Sequence, residues 1–154
     1  MHLYETHIPV TDLERSKKFY TEVVGLELAY EQPQRQVAFF WIGGPEQGML
    51  GIWGPGALYG WQGDERFKSH FAIGLSLDEL LAAPARLQAQ GVSVRGFNGV
   101  TSGEPSVIGW MPSAQIYFED PDGHSVEFIT VLNDPPQDGF HGSWTEWRRL
   151  VDAG

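Results

Sequence analysis

The sequence predicts an α+β fold in which two βαβββ modules form a cupped mixed sheet with flanking helices. One observation behind this prediction is an internal repeat: one strand pattern, one helix pattern and three further strand patterns occur twice in the same order. The other is the spacing of the helix ends. Asp12 and Asp78 precede the two helices and lie 66 positions apart, as do Gly25 and Gly91, which follow them.

Each element of the first module has a local sequence pattern. Residues 3–10 place apolar residues on one face and Glu5 and His7 on the other, which is typical of a half-buried strand with a polar inner face. Asp12 is a favourable helix N-cap, and Gly25 ends the helix that follows. Three more strands are predicted at residues 26–30, 36–42 and 49–53.

The second module repeats this order less regularly. Residues 70–75 are the predicted first strand, and Asp78 heads a helical stretch that ends at Gly91. Proline is unfavourable inside a helix, so Pro84 is an alternative helix start. Residues 98–112 are predicted to be a long loop without regular structure, typical of a functional loop or lid. The remaining predicted strands lie at residues 92–97, 115–118 and 125–130.

The chain ends in a tail that begins with Pro135 and Pro136. Ser143 and Glu146 have the spacing of a capping box, which predicts a short final helix. The predicted organisation is therefore a first module at residues 1–54, a linker at 55–68, a second module at 69–132 and a C-terminal tail with a short helix at 133–154.

Composition limits the classes of function. The chain has 154 residues, a net charge of −10 and no cysteine. The acidic balance disfavours nucleic acid as a partner, and the lack of cysteine excludes thiol catalysis, disulfides and iron–sulfur clusters. Histidine and carboxylate side chains remain as candidate metal ligands. No apolar run is long enough for a membrane helix, so we expect a cytoplasmic protein without a membrane partner.

The repeat brings equivalent inner-face positions into register. Aligning the apolar residues of the two first strands gives an offset of 65, which pairs Glu5 with His70. Pairing His7 with His70 requires an offset of 63 and a longer loop in the second copy. At the last strand of each module, Gly51 aligns with Glu127. His70, Glu127 and one or both of Glu5 and His7 therefore form a candidate site for one divalent metal ion, namely Zn, Mn, Fe, Co or Ni.

Three motifs show a resemblance to a known family. They are residues 10–16 (VTDLERS) with Phe19-Tyr20, residues 69–72 (SHFA), and residues 120–128 (DPDGHSVEF). Together they resemble the vicinal oxygen chelate superfamily, which includes glyoxalase I, extradiol dioxygenases and bleomycin-resistance proteins. The resemblance covers nearly all of residues 1–132. It implies a metal-dependent enzyme, although this fold hosts unrelated chemistries.

The resemblance also implies roles for individual residues. His70 and Glu127 match the second-module metal ligands, and Glu5 matches the first-module ligand. His7 matches a position that usually contacts substrate, and the fourth ligand of glyoxalase I falls on Gly51, which cannot coordinate. If His7 binds the metal, the set is two histidines and one carboxylate; if Glu5 binds instead, His7 is free as a general acid or base. His7 and Glu127 are the predicted catalytic residues.

The expected chemistry is that of a lyase, isomerase or dioxygenase acting on a small, oxygen-rich and partly apolar substrate through bidentate chelation to the metal. The predicted substrate pocket contains Phe39, Trp53, Trp110 and Tyr117. Arg35 and Arg95 are placed at strand edges, which disfavours a phosphonate substrate. The alternative is a bleomycin-resistance-like protein that sequesters a cationic aromatic ligand without metal. By resemblance, we expect a homodimer in which the ligands come from one chain or from two.

Overall fold

The computed structural model describes residues 1–99 and 103–153. In the first module, β1 (Glu5–Pro9) is followed by α1 (Leu13–Lys18), which continues as a π-helical turn over Phe19–Val24. The Asp12 side chain caps α1 by accepting the Arg15 N–H, and Gly25 ends the helical segment with a φ of 91°. The strands β2 (Glu27–Gln32), β3 (Val37–Trp41) and β4 (Met49–Trp53) complete the module.

The second module has the same order with one added strand. It contains β5 (His70–Gly74), α2 (Leu77–Ala89), β6 (Ser106–Ile108), β7 (Ser113–Glu119) and β8 (Ser125–Val131), and the tail contributes β9 (His141–Ser143) and α3 (Trp144–Val151). The α3 helix begins at the predicted capping box, because Ser143 and Glu146 bond each other's backbone N–H groups.

The two sheets confirm the predicted α+β class. The first sheet has the order β1-β4-β3-β2, and the second has the order β5-β8-β7-β6-β9. In each sheet the first and last strands of the module run parallel, while the remaining pairs are antiparallel. The parallel pair therefore brings the start and end of each module side by side, which is where the predicted ligands lie.

The chain divides into two compact units, and neither unit is one continuous stretch of the sequence. The first unit contains Met1–Ser69 together with Asp120–His124, and the second contains His70–Glu119 together with Ser125–Gly154. The short Asp120–His124 turn thus belongs to the first unit although it connects two strands of the second. The residues 55–68, predicted as a linker, are part of the first unit.

Three predictions for the second module were wrong in detail. Pro84 lies inside α2, which is capped at Ser76 and held by the buried residues Leu80 and Leu87. The predicted strand at 92–97 is reduced to one bridge between Arg95 and Tyr117. The predicted loop at 98–112 contains β6, a strand too short to give an alternating pattern, whereas 100–102 lie outside the described residues.

Each unit has its own buried core. In the first unit Ile8, Tyr20 and Phe40 are fully buried, and in the second Phe118 and Phe128 pack edge to face with ring centres 4.9 Å apart. No helix in the described ranges is long and apolar enough to cross a membrane.

Candidate metal centre

The first unit presents one pair of candidate ligands on β1. Glu5 and His7 point to the same side of the strand, and the Glu5 Oε1 and His7 Nε2 atoms are 3.6 Å apart. The His7 Nε2 is shielded from solvent and has no hydrogen-bond partner among the described residues. A buried, unpartnered nitrogen is unusual in a folded protein, so this atom is available for a ligand.

Three aromatic rings pack around the His7 imidazole. The ring centres of Phe39, Trp53 and Tyr59 lie 5.9, 5.6 and 5.4 Å from that of His7. Phe39 and Trp53 were predicted to line the substrate pocket, and they lie here beside His7. Tyr59 comes from the segment predicted as a linker, and its position beside His7 was not predicted from the sequence. The rings fix the imidazole in one orientation by packing.

The second unit presents a second pair of candidate ligands. The His70 Nε2 and Glu127 Oε2 atoms are 3.1 Å apart, and His70 Nδ1 is 3.2 Å from the Ser125 carbonyl oxygen. An Nδ1–H that donates to a carbonyl leaves Nε2 as the metal-binding nitrogen, a common arrangement in metalloproteins. Two atoms bound to one metal at about 2.1 Å lie roughly 3.0–3.4 Å apart. The pair therefore fits a divalent metal ion.

Tyr117 completes the surroundings of Glu127. Burial raises the pKa of Glu127, and the nearby His70 and a hydrogen bond from the Tyr117 hydroxyl only partly oppose this effect. Burial and the charge of Glu127 in turn raise the pKa of Tyr117 to about 12. The phenol is therefore neutral at physiological pH and donates a hydrogen bond to the Glu127 carboxylate.

His70 and Tyr117 open onto a pocket within the second unit. The pocket has a volume of about 400 Å³ and is also lined by Arg95, Phe97 and Ser125. Arg95 was expected at a strand edge, but the structure places its guanidinium in this pocket, 3.7 Å from Glu119 and 3.4 Å from the Ser125 hydroxyl. An isolated Arg in a predicted strand gives no sequence pattern that marks it as pocket-facing. The bridge with Tyr117 determines its direction.

The predicted pocket residues do not lie together: Tyr117 lines this pocket, Phe39 and Trp53 lie beside His7 in the first unit, and Trp110 lies with neither group. Its side chain is 62% exposed in the turn between β6 and β7, and it does not line the pocket described here. Within residues 1–99 and 103–153, no group of three or more His, Asp or Glu side chains is arranged to hold a metal ion. The structure therefore gives two ligand pairs, each within its own unit.

The DPDG turn before β8 is fixed by a buried network. Asp120 accepts N–H bonds from Asp122 and His124 and a hydrogen bond from the buried Tyr20 hydroxyl. His124 accepts the Ser69 N–H at Nδ1, so its Nε2 donates to the Pro9 carbonyl oxygen at 2.7 Å. This network is structural, and it fixes the turn just before β8.

Comparison with known proteins identifies the family. Residues 2–128 match the model of the Glyoxalase/Bleomycin resistance protein/Dioxygenase superfamily. This match spans most of the chain, and the chain therefore belongs to that superfamily.

Individual relatives show which members the chain is similar to. It is 32% identical over 134 residues to a protein named lactoylglutathione lyase from Escherichia coli O157:H7, covering 84% of this chain and 92% of the relative. A solved lactoylglutathione lyase from Agrobacterium tumefaciens is 25% identical, with a TM-score of 0.59 and coverage of 84% and 92% of the two chains. An antibiotic binding protein from Streptomyces sp. CB03234 shares the fold at 24% identity, with a TM-score of 0.62 and coverage of 86% and 97%.

Proposed function

We propose that this protein is a metal-dependent enzyme of the glyoxalase and dioxygenase type. It acts as a lyase, isomerase or dioxygenase on a small, oxygen-rich and partly apolar substrate. The observation that carries the proposal is the His70 and Glu127 pair, whose ligand atoms are 3.1 Å apart beside a pocket. The hydrogen bond from His70 to the Ser125 carbonyl supports it, because it orients Nε2 toward the same space as the carboxylate.

The ligands in this proposal are His70, Glu127 and a first-unit residue, Glu5 or His7, supplied by the same chain or by a partner copy. A bound divalent metal would supply electrophilic stabilisation of negative charge on two neighbouring substrate oxygens. Three of the chain's own residues have the remaining roles. Tyr117 holds the Glu127 carboxylate, the Arg95 guanidinium attracts an acidic group, and Phe97 offers an apolar surface.

Metal binding tests the proposal directly. We expect the protein, purified without chelators, to contain about one equivalent of Zn, Mn, Fe, Co or Ni per chain, measured by plasma mass spectrometry. At 100 times the Kd, the added metal should raise the free energy of unfolding by about 2.7 kcal/mol. The His70→Ala variant should lose both effects, while the exposed His2→Ala control keeps them. A folded wild-type protein that binds none of these metals would contradict the proposal.

The names of the relatives suggest the first substrate to assay. We expect the metal-loaded protein to form or consume lactoylglutathione, a reaction that is monitored by the change in thioester absorbance. The His70→Ala substitution should abolish this activity. If the metal-loaded protein does not turn over lactoylglutathione, the metal centre stands and the substrate is another oxygen-rich compound. A panel of 2-oxo acids and vicinal diols is then the next set to test.

Sequestration of a cationic aromatic ligand is the second candidate function. The aromatic cluster of Phe39, Trp53 and Tyr59, with Glu5 nearby and a net charge of −10, favours it. Arg95 disfavours it at the second-unit pocket, because the guanidinium repels a cation. Calorimetric titration with a cationic glycopeptide antibiotic discriminates the two functions. Tight binding that is unchanged in His70→Ala and independent of metal would support sequestration.

A further inference from the structure

The C-terminal tail forms part of the second sheet beside the pocket. Its strand β9 pairs antiparallel with β6, so that Ser143 lies opposite Ser106 and His141 lies opposite Ile108. The other edge of β6 pairs with β7, the strand that carries Tyr117 of the pocket. The family match ends at residue 128, so β9 lies outside the matched region. The tail is therefore a feature of this chain that lies close to the pocket.

Phe97, which lines the pocket, is held in place by β6 and by the tail. Its backbone N–H donates to the Ser106 hydroxyl oxygen at 2.8 Å. Its ring is stacked on the His141 imidazole, with ring centres 5.4 Å apart and an angle of 23° between the two planes. Phe97 nevertheless stays 39% exposed. The ring is therefore a fixed apolar wall of the pocket that still has surface for a ligand.

Further hydrogen bonds join the tail to the residues just before β6. The Trp144 N–H donates to the Pro105 carbonyl oxygen at 2.8 Å. The Thr145 N–H and hydroxyl both donate to the Glu104 carboxylate, at 3.0 and 2.6 Å. These bonds fix the start of β6, which in turn holds the Phe97 N–H. The tail thus positions this wall through both its backbone and its ring.

Arg95 supplies a positive charge to the same pocket. Its guanidinium is 3.4 Å from the Ser125 hydroxyl and 3.7 Å from the Glu119 carboxylate. Both distances are longer than the roughly 2.8 Å of a charge-assisted hydrogen bond. The Arg95 side chain is 34% exposed. Because a guanidinium has five N–H donors in one plane, Arg95 can also bind the carboxylate of a ligand in the pocket.

We propose that this pocket binds a small planar acid: Arg95 holds its carboxylate, and Phe97, positioned by His141 of the tail, contacts its planar apolar part. The pocket volume of about 400 Å³ is within the range of small-molecule sites. His70, a proposed metal ligand, lines the same pocket. The inference therefore names the substrate class as aromatic 2-oxo acids, whose keto and carboxylate oxygens are neighbours, and in this it rests on the proposed metal function.

Benzoylformate is the probe, because it combines a carboxylate, a neighbouring keto oxygen and a phenyl ring. Methyl benzoylformate lacks the charge, and pyruvate lacks the ring. In ligand-observed NMR titrations of the protein as purified, we expect benzoylformate to bind at least about tenfold more tightly than either of the other two compounds. Equal affinity for the acid and its ester, or for benzoylformate and pyruvate, would overturn the proposal.

The Arg95→Gln variant tests the carboxylate contact. We expect it to bind benzoylformate at least about tenfold more weakly than wild type, because the carboxylate loses its charged partner. Its affinity for methyl benzoylformate should not change. The exposed Arg35→Gln variant is the matched control and should bind both compounds like wild type. Circular dichroism establishes that each variant is folded, and a folded Arg95→Gln protein with wild-type affinity for benzoylformate would contradict the role of Arg95.

Two substitutions at His141 test the role of the tail. His141→Ala should weaken benzoylformate binding about three- to tenfold, because Phe97 loses its stacked neighbour. Pyruvate binding should not change, since pyruvate has no ring to contact Phe97. His141→Phe restores a stacked ring and should keep the wild-type affinity, and the exposed His2→Ala variant is the control. If folded His141→Ala weakens both ligands equally, or neither, His141 does not position this wall.

The same titrations, repeated after treatment with a chelator, distinguish this inference from the proposed function. Benzoylformate binding that persists in the folded, chelator-treated protein and depends on Arg95 and His141 supports the acid pocket, even if the protein binds no metal and the proposed function fails. If wild type binds metal but binds benzoylformate no more tightly than its methyl ester, the metal function stands and this inference fails.

Discussion

Asp122 shows how a single side chain holds the turn before β8 in place. Its carboxylate accepts hydrogen bonds from the Thr11 N–H and hydroxyl and from the Arg15 guanidinium. Burial alone would raise the pKa of Asp122, but the bonds from Thr11 and Arg15 outweigh burial and lower it. The ionised form is therefore the one that the folded state stabilises.

The Asp122→Asn substitution should destabilise the protein by about 2 kcal/mol at pH 7. The Asn amide loses the charge-assisted hydrogen bonds, and its NH2 group would face the donors of Thr11 and Arg15. A lowered folded-state pKa gives stability that is present above the unfolded pKa and lost as pH falls through the folded value. The difference from wild type should therefore shrink below about pH 4. Urea unfolding across pH checks this, and the exposed Asp64→Asn variant should match wild type throughout. A pH-independent difference would contradict the electrostatic explanation.

At the level of residues, the internal repeat and the family motif both pointed to His70 and Glu127. His70 and Glu127 are adjacent, as expected, because the parallel pairing of first and last strands is fixed by the βαβββ order. The preferred alignment of Glu5 with His70 agrees with the strand register. Arg95 was missed, since its direction depends on one tertiary bridge with Tyr117 rather than on local pattern. Trp110 was predicted from residue type alone, which says nothing about direction.

At the level of elements, the tail is held by the pairing of β9 with β6 and by the buried side chain of Trp147 on α3. Trp147 on α3 is fully buried, its indole N–H donates to Asp134 at 2.8 Å, and its ring centre is 5.0 Å from that of Phe140. The helix also begins at a capping box, but a helix of eight residues is not stable alone in water. Burial of Trp147 therefore stabilises this element together with the capping box and the β9 pairing.

The Trp147→Ala substitution should lower the free energy of unfolding by about 3–5 kcal/mol, because it removes a buried aromatic ring and leaves a cavity. The same truncation at Leu150, which is 45% exposed on the same helix, should cost no more than about 0.5 kcal/mol. Denaturant melts of both variants measure the difference. Equal losses would mean that the helix is held by its cap and not by Trp147.

The order of elements was predictable because long, amphipathic segments reveal their period in the sequence. All four strands of the first module and the capped helix α3 lie where expected. The misplaced elements have weak local patterns and strong tertiary support. β6 has three residues paired on both edges, and α2 tolerates Pro84 because its capping box and buried face hold the helix. Such elements depend on contacts with distant residues, which one sequence does not show.

At the level of the whole molecule, the two ligand pairs can come from one copy of the chain or from two. Glu5 and His7 belong to one compact unit, and His70 and Glu127 belong to the other. In dimers of the kind that the family resemblance implies, the first module of one subunit faces the second module of its partner. For the metal centre that we propose, we therefore expect each site to combine pairs from two copies of the chain.

Complementation between two inactive variants tests this expectation. One variant carries Glu5→Ala and His7→Ala, the other carries His70→Ala and Glu127→Ala, and neither should bind metal alone. After the two are mixed 1:1 and allowed to exchange subunits, half of the dimers are mixed, and each mixed dimer has one intact centre if the pairs come from different chains. We therefore expect about one quarter of an equivalent of metal per chain. If both pairs come from the same chain, the mixture binds none, although light scattering still shows dimers that exchange subunits.

Because each mixed dimer would have one intact centre and one that lacks every ligand, its activity per bound metal should equal that of wild type.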